Sequence, residues 1–463
     1  MKIIITLIAL SITVLSMSDL KAQSVSVTVY NHTSDSDNKV LNQHLKKHKR
    51  FMVEKKDLLD SLNHYGKSTF NLNIDTENDW TITIQTNDMR SHDYTSYYTS
   101  DSGTFQNRGS YTPNTYKGKT SNGHIVRLTI DNDKFFGVIL NNEEQKVIRQ
   151  TRDFTGDKKD ESLVIYDNSD YIAPKNKSDY INDALVVPDA RIAGLQNNLM
   201  SSVSLCTYYL QIATEADYEF YQKNGSNIQS ANETVLSALN LAEGVYESTF
   251  NLNFIITFQN VWTTSSDPYS STDSHTLLNQ FRTEWNANRT GVARNIAHLF
   301  TGKNLDDGII GRAWEGNISD DYSYSLSMDY GSMYAITAHE IGHNLNADHP
   351  PTSGDCLCNT SQSSVMCPYL QNNNLWFCPH SINRINSFLA NHSSYLTGNI
   401  PDNLTLSGTV TGFNKYRATT QITSAQVINS GETAYKTPSV SFSSNFEVKS
   451  GAIFSVTELN DCP

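Results

Sequence analysis

Two histidines and a glutamate have the spacing needed to bind and use one metal ion. His339 and His343 are four residues apart, so on a helix both imidazoles project from the same face, one turn apart. Glu340 follows the first histidine, and His349 supplies a third nitrogen if the chain turns back after the helix. Three nitrogen ligands leave zinc a vacant position for water, as in catalytic sites. The alternative is a chance match on a helix that carries histidines.

This set of side chains predicts hydrolytic chemistry. A water on the zinc ion has its pKa lowered towards neutrality. Glu340 is the expected general base, which takes the proton of that water during attack on a peptide carbonyl and passes it to the departing amine. Since zinc also polarises the carbonyl, no separate oxyanion hole is expected. One catalytic Zn²⁺ is the expected cofactor, and the sequence gives no support for a structural Ca²⁺.

The composition and the first residues indicate where such a site works. The chain of 463 residues has 35 Lys and Arg against 48 Asp and Glu, a net charge of −13, which argues against nucleic acid as a partner. An apolar run over residues 3–15 follows Lys2 and precedes Ala22, which predicts a signal peptide over residues 1–23. An N-terminal membrane anchor is the alternative. No later stretch is apolar enough to span a bilayer, so we expect a secreted, extracellular protein.

The chain length favours roughly three domains. Residues 24–200 contain no cysteine and are predicted to form a β-rich domain after a helical stretch over residues 38–63. Alternating apolar residues predict its strands at 70–74, 80–84, 125–130, 135–140, 145–149 and 163–166.

Residues 201–398 are predicted to alternate strands and helices. The expected order is a strand at 207–214, a helix at 230–250, a strand at 251–259 and a helix at 276–287. Such alternation predicts an α/β layer with the zinc helix packed under a mostly parallel sheet. Residues 308–314 are expected to form an edge strand, with which an extended peptide substrate can pair.

The motifs of this segment resemble the metzincin metallopeptidases of the adamalysin (reprolysin) type, as a bacterial-type secreted member. The resemblance rests on the zinc motif, on residues 298–302 with 308–314, on Ser364-Val365-Met366-Cys367, and on the cysteine pattern. It implies a zinc endopeptidase of EC 3.4.24 type, with Met366 as an apolar floor beneath the histidines. Two residues depart from the family: Asn346 replaces the glycine of the turn, and Pro350 replaces an aspartate. Asn tolerates positive φ well, so we expect the turn to survive.

The cysteines have two interpretations. Cys356, Cys358, Cys367 and Cys378 could hold a structural zinc ion, but exported thiols are usually oxidised, which favours disulfides. Four cysteines allow three pairings. The adamalysin resemblance implies the pairs 356–378 and 358–367. Cys206 and Cys462 remain and are candidates for pairing with each other.

The N-terminal domain is expected to be a pro-domain that inhibits the enzyme. Residues 116–119, 123–130 and 136–139 are similar to adamalysin propeptides, whereas an unrelated β-rich binding domain is the alternative. The segment lacks cysteine, so it contains no cysteine switch. Residues 154–157 resemble the motif by which astacin propeptides place an aspartate on zinc, which makes Asp157 a candidate latency switch.

The expected fold class is therefore α/β. A metzincin-like catalytic domain with a mostly parallel twisted sheet follows a β-rich N-terminal pro-domain and precedes a small all-β C-terminal module, residues 402–463. That module resembles adhesion or sorting modules of exported bacterial proteins, and a stabilising cap is its alternative. For the whole chain, the alternative to a peptidase is a catalytically weak or inactive adhesin that keeps the fold. The sequence leaves substrate preference and oligomeric state open.

Overall fold

The computed structural model describes residues 23–24, 27–29, 36–107, 112–141, 145–172, 184–185, 207–351, 356, 358, 364–368, 375–396, 403–410, 413–418, 420–430 and 432–457. The helices are α1 Ser36–His44, α2 Lys56–Tyr65, α3 Arg152–Thr155, α4 Tyr218–Lys223, α5 Ile228–Phe250, α6 Ser274–Asn288, α7 Met333–Asn344 and α8 Pro379–Asn391. Over these described residues, no helix combines the length and the apolar character that crossing a membrane requires.

The strands fall into three successive groups along the chain. The first group is β1 Gln23–Ser24, β2 Val27–Val29, β3 Lys49–Val53, β4 Lys67–Asn73, β5 Asp79–Thr86, β6 Arg90–Ser100, β7 Gly103–Gln106, β8 Thr115–Thr120, β9 Ile125–Ile130, β10 Phe135–Leu140, β11 Gln145–Gln150 and β12 Leu163–Asp167. The second is β13 Ala184–Leu185, β14 Tyr208–Ala216, β15 Leu252–Trp262, β16 Ile296–Thr301, β17 Gly311–Trp314 and β18 Tyr324–Met328. The third is β19 Asn403–Val410, β20 Phe413–Arg417, β21 Gln421–Ile428, β22 Glu432–Lys436, β23 Ser439–Phe442, β24 Glu447–Val448 and β25 Ile453–Thr457.

The N-terminal segment, residues 23–172, folds around a ten-stranded, mostly antiparallel sheet. Its strand order is β1-β4-β5-β8-β9-β10-β11-β12-β3-β2. The strands predicted at 125–130 and 135–140 have the predicted bounds. The single helix predicted over 38–63 is wrong, because β3 separates α1 from α2. Phe51 and Val53 alternate with exposed Met52 and so bury one face of a strand, which the apolar stripe had merged into a helix.

The central segment, residues 207–396, is built on a mostly parallel sheet that matches the expected α/β layer. The order is β17-β18-β16-β14-β15, in which β17 alone of these five runs antiparallel to its neighbour. Strands β16 and β18 were not predicted. Helices α5 and α7 pack against each other, and α7 also contacts β17 and β18. Strand β17, the outermost of these five strands, and the zinc-motif helix are therefore adjacent.

Strands from outside the central segment extend its sheet at both edges. The hairpin β6–β7, which belongs to the N-terminal segment in sequence, joins the sheet through parallel pairing of β6 with β15. At the opposite edge, β13 pairs in parallel with β17, with Ala184 opposite Ala313 and Leu185 opposite Trp314. The central sheet thus has eight strands in the described part of the chain.

The C-terminal segment, residues 403–457, consists of strands in its described part. Strands β19, β21 and β23 form one parallel sheet, with β24 also on β21, and β20, β22 and β25 form another. Strands β19 to β23 alternate between the two sheets along the chain, β24 also joins the first sheet and β25 completes the second. Ile422 and Tyr435 are fully buried between them.

A buried histidine joins two central strands close to α7. His298 on β16 lies between two serines of β18, with Nδ1 2.8 Å from the Ser325 hydroxyl and Nε2 2.9 Å from the Ser327 hydroxyl. Burial lowers the pKa of His298 to about 3. The Thr337 hydroxyl of α7 donates to Ser327, so the same cluster contacts the zinc-motif helix.

His298 is expected to make folding sensitive to acid. An unfolded His titrates near pH 6.5 but the folded one near 3, so between these values only the unfolded state binds this proton. Stability therefore falls as pH decreases through this window. Urea midpoints measured at pH 7.5 and 4.5 should show a smaller acid loss in His298→Gln than in wild type. The exposed-site control His64→Gln should retain the wild-type loss, and an unchanged loss in His298→Gln would contradict this assignment.

Candidate active site

Three imidazole rings converge at the C-terminal end of α7. His339 and His343 are fully buried, and His349 is partly buried in the loop that follows. The Nε2 atom of His339 lies 3.0 Å from Nε2 of His343 and 3.2 Å from Nε2 of His349. Tetrahedral zinc with Zn–N bonds of about 2.0–2.1 Å holds its ligand nitrogens roughly 3.3 Å apart. The three rings therefore fit one zinc ion, and they are the candidate metal group within the described residues.

Backbone carbonyls determine which ring nitrogen faces the shared point. His339 Nδ1 donates to the Val365 carbonyl at 2.6 Å, and His343 Nδ1 donates to the Ala347 carbonyl at 2.6 Å. Because a carbonyl oxygen only accepts, each Nδ1 carries the hydrogen and each Nε2 keeps its lone pair. Metal-binding histidines are oriented in this way, so the donor chemistry also fits zinc.

The turn between the second and third histidines uses Asn346 in the left-handed region, with φ of 69°. The expectation that the turn survives with Asn346 at positive φ is confirmed. The Asn346 N–H donates to the His343 carbonyl at 2.8 Å, and the Ala347 N–H donates to the Gly342 carbonyl at 2.9 Å, which ends α7. The chain can then return His349 towards the helix.

Arg384 of α8 fixes this turn from outside. Its Nε donates to the Asn346 carbonyl at 2.7 Å, and its Nη2 lies 2.6 Å from a carboxylate oxygen of Glu315. The same guanidinium lies 3.2 Å from Asp348, the residue before the third histidine. His380, one helical turn earlier, contacts Asp348 at 2.7 Å. The loop is thus held by α8 through charged groups, although the family aspartate is replaced by Pro350.

Glu340 faces β17, the outermost of the central segment's own five strands, which β13 covers. The side chain is fully buried, and a Cβ atom built on Gly311 of β17 would lie 2.2 Å from its Oε1. Any larger residue at this position would require the carboxylate or the neighbouring Ile336 to shift. The structure therefore brings Glu340, the zinc-motif helix and β17 together.

The opposite face of α7 rests on Met366 and Tyr246. A Cβ built on Gly342 would lie 2.3 Å from Met366 Sδ and 3.3 Å from the Tyr246 hydroxyl. Tyr246 of α5 donates to the Ala338 carbonyl at 2.6 Å. Met366 is fully buried beneath the helix, where the sequence predicted an apolar floor.

Two disulfides brace the loops beyond the third histidine. Cys356 is bonded to Cys378 and Cys358 to Cys367, with Cα–Cα distances of 5.6 and 5.3 Å. The pairing implied by the family resemblance is confirmed, and a structural zinc ion on these four sulfurs is ruled out in this state. The remaining pair, Cys206 and Cys462, lies outside the described residues.

The structure does not bring Asp157 to the three histidines. Its side chain is exposed, and its carboxylate accepts from the Lys159 N–H at 2.9 Å in a turn after α3. In the described residues the metal group contains the histidines without a carboxylate.

Comparisons with known proteins agree with this geometry. Residues 207–378 match the sequence model Reprolysin_5 of metallopeptidase family M12. The disintegrin and metalloproteinase domain-containing protein adm-2 of Caenorhabditis elegans is 28% identical over 158 residues, which cover 32% of this chain and 16% of that protein. The snake venom metalloproteinase acutolysin-C of Deinagkistrodon acutus is 29% identical over 171 residues, covering 34% and 38%. The chain thus spans less than two fifths of the length of these relatives.

The fold, the three histidines and the matched residues together identify a metzincin-like metallopeptidase domain in the central segment, with a histidine triad that fits zinc. Within that class, residues 207–378 are adamalysin (reprolysin)-like, as the family match and the two relatives support.

Sequence reasoning missed Gly311, Arg384 and Tyr246. Gly311 stood inside a predicted edge strand, where a glycine signals close approach of another group, but its neighbour could not be read from the sequence. Arg384 and Tyr246 reach the site from helices that are distant in sequence. No local pattern marked either residue.

Gly311→Ala is expected to displace Glu340 without removing the metal ligands. The new methyl group would overlap the carboxylate, and a misplacement of about 1 Å can lower catalysis roughly 100-fold. We expect that loss in kcat/KM on a peptide substrate, with zinc content by atomic absorption unchanged. Gly291→Ala, where an added Cβ meets nothing within 4 Å, is the matched control. Wild-type kcat/KM in Gly311→Ala would refute the contact.

Arg384→Met is expected to weaken metal binding. The methionine keeps the aliphatic packing but loses the bond to the Asn346 carbonyl and leaves Glu315 without this cation. Residues that orient metal ligands typically contribute about 10- to 100-fold to affinity. Competition with a chromophoric chelator measures the zinc Kd. Asn383→Ala, at an exposed position of the same helix, should leave the Kd unchanged. Equal Kd values for both variants would show that Arg384 does not support the loop.

Proposed function

We propose that the chain is a secreted zinc-dependent endopeptidase of EC 3.4.24 type that cleaves protein or peptide substrates, with His339, His343 and His349 as metal ligands. The observation that carries this proposal is the position of Glu340, which is buried on the helix that carries His339 and His343 and which packs against Gly311 of β17. A general base, a metal site and a peptide-binding edge are then adjacent. Both relatives are named as metalloproteinases, which supports the same class of chemistry.

In this proposal Glu340 performs the proton transfers. His339, His343 and His349 would hold a zinc ion, which would supply Lewis acidity towards the scissile carbonyl and the attacking water. The Glu340 carboxylate accepts a proton from the attacking water and returns it to the leaving amine. Gly311 keeps this carboxylate at the edge of β17, along which the substrate backbone would lie. Met366 supports the helix from below and takes no part in the chemistry.

The N-terminal segment is proposed to act as the inhibitory pro-domain. Strand β13, from the stretch that connects it to the central segment, pairs with β17. Ala184 and Leu185 thereby take the backbone groups that an extended substrate would use. Latency then comes from occupation of the edge strand. The candidate switch Asp157 keeps its place as a separate hypothesis, and its exposed turn gives it no support.

The remaining assignments follow from the sequence. Residues 1–23 would direct export as a signal peptide, with the pro-domain over 24–200, the catalytic domain over 201–398 and the β module over 402–463. The C-terminal module would attach the enzyme to surfaces or to substrates. Residues 1–22 lie outside the described residues.

A non-catalytic adhesin that retains the fold is the competing proposal. It would keep the zinc ligands and the disulfides but would not need a carboxylate fitted against a glycine of the edge strand. The family match does not favour it.

Glu340→Gln separates the two proposals. The amide keeps the size of the side chain but cannot accept the proton, so cleavage of a denatured protein should fall by about 100- to 10,000-fold. Zinc content should remain that of the wild type. Glu284→Gln, on helix α6, is the control. Full cleavage by Glu340→Gln would reject the assigned general base, whereas a processed wild type without chelator-sensitive cleavage of several substrates would favour the adhesin.

A further inference from the structure

The N-terminal segment shares a hydrogen-bonded sheet with the central segment. Strand β6 pairs in parallel with β15, with Thr95 opposite Phe258 and Thr99 opposite Trp262. The pairing continues beyond the strands, because the Ile256 N–H donates to the Met89 carbonyl at 2.7 Å. If the N-terminal segment left, β15 would become an exposed edge with unpaired backbone groups.

A charged side chain of the N-terminal segment is buried against helix α5. Arg127 of β9 is 1% exposed and forms ion pairs with Glu243 and Glu247 of α5. Its aliphatic stem lies across Gly244, where an added Cβ would be 2.8 Å from Arg127 Cγ. Removing the cation from a buried carboxylate strongly destabilises a protein, so this ion pair opposes separation of the N-terminal segment from α5.

Amide groups complete the same surface. Asn87 Nδ2 donates to Glu243 at 2.6 Å and to the Asn240 side-chain oxygen at 2.9 Å. Asn240 Nδ2 donates to the Leu128 carbonyl at 3.1 Å. Glu243 also accepts from the Phe254 N–H at 3.1 Å, so the carboxylate joins both segments. These groups, together with Arg127, Gly244 and Glu247, are named the α5 seam.

Helix α5 connects the seam to the candidate active site. Tyr246 lies three residues after Glu243, and its hydroxyl donates to the carbonyl of Ala338, the residue before His339. The N-terminal segment therefore contacts the helix that supports α7. If the N-terminal segment left, α5 would lose the contacts on one side, and α5 is the helix that supports the zinc-motif helix α7.

The two edges of the central sheet are contacted in different ways. At β15 the contact consists of a long strand and the buried α5 seam, whereas at β17 it consists of the two-residue strand β13. A cut in the connecting stretch, residues 173–206, frees β13 from one of its attachments and leaves the α5 seam intact. The pairing of β13 with β17 should therefore be lost, whereas the pairing of β6 with β15 and the α5 seam should be kept.

We propose that the folded N-terminal segment stays bound as a non-covalent subunit after the chain is cut between residues 173 and 206. Activation then vacates β17 without releasing the N-terminal segment, and the working peptidase is a two-chain complex. The activation step rests on the proposed function, but the retained association does not. The partner that occupies the α5 side of this interface is thus the chain's own N-terminal fragment, which stays bound after the cut.

The test uses the full chain with a specific protease site inserted into residues 173–183, in a Glu340→Gln background that prevents self-cleavage. After the cut, size-exclusion chromatography should show both fragments in one peak down to nanomolar concentration. Arg127→Met, which removes the buried cation, should raise the Kd between fragments roughly 100-fold or more. Arg152→Met is the matched control, because Arg152 bonds to Gln150 and Asp133 within its own segment. Circular dichroism before the cut checks that each variant is folded.

Fragments of the cut wild-type sequence that separate under these conditions would overturn the proposal, as would equal Kd values for Arg127→Met and Arg152→Met. The same cut in the Glu340 chain provides the activity readout. Cleavage that elutes with the two-chain peak supports the proposal, and cleavage confined to a free central fragment overturns it. Absence of cleavage in every fraction would refute the proposed function, while co-elution would still decide the association.

Discussion

The candidate site depends on two carbonyl oxygens that dictate the tautomers of two buried histidines. Val365 and Ala347 each accept from an Nδ1 atom, which leaves the Nε2 lone pairs directed at one point. Both carbonyls lie in loops, so the metal geometry is only as rigid as those loops. The disulfide from Cys367 constrains the first, and the bond from Arg384 to Asn346 constrains the second. The disulfide and the Arg384 bond thus serve to keep the two carbonyls in place, so that each Nδ1 keeps its hydrogen and each Nε2 keeps its lone pair for a metal.

Helix α7 is closely packed on two sides, and on each side a glycine allows the contact because it has no side chain. Gly342 lets Met366 reach the underside of the helix, and Gly311 lets Glu340 lie against the edge strand. In both places a single methyl group would push one partner away. Close contacts at Gly311 and Gly342 therefore fix where α7 packs between the sheet and Met366. Such preorganisation is what general-base catalysis requires of a scaffold.

The sequence predicted those features that depend on local spacing. The four-residue histidine interval, the strands at 125–130 and 135–140, and the tolerance of Asn346 for positive φ all follow from backbone periodicity and sterics. The strand β3 was mistaken for helix, because its apolar residues also continued a helical stripe. Residues that act across the fold, such as Arg384 and Arg127, gave no local signal. Their partners are set by tertiary packing, which periodicity does not encode.

The buried Arg127 distinguishes a permanent interface from a disposable one. A segment that must leave is best held by contacts that water can replace easily, since each buried charge left behind adds a desolvation cost. Here the guanidinium is buried against Glu243 and Glu247, and the same Glu243 accepts a backbone N–H of β15. Loss of the N-terminal segment would leave this carboxylate without its cation inside the central segment. By contrast, β13 contributes two residues of backbone pairing at β17, where a substrate strand can make equivalent bonds. The contact that a substrate can replace, β13 on β17, lies at the candidate active site. The contact that nothing replaces, Arg127 with Glu243 and Glu247, lies on the side of α5 that faces the N-terminal segment.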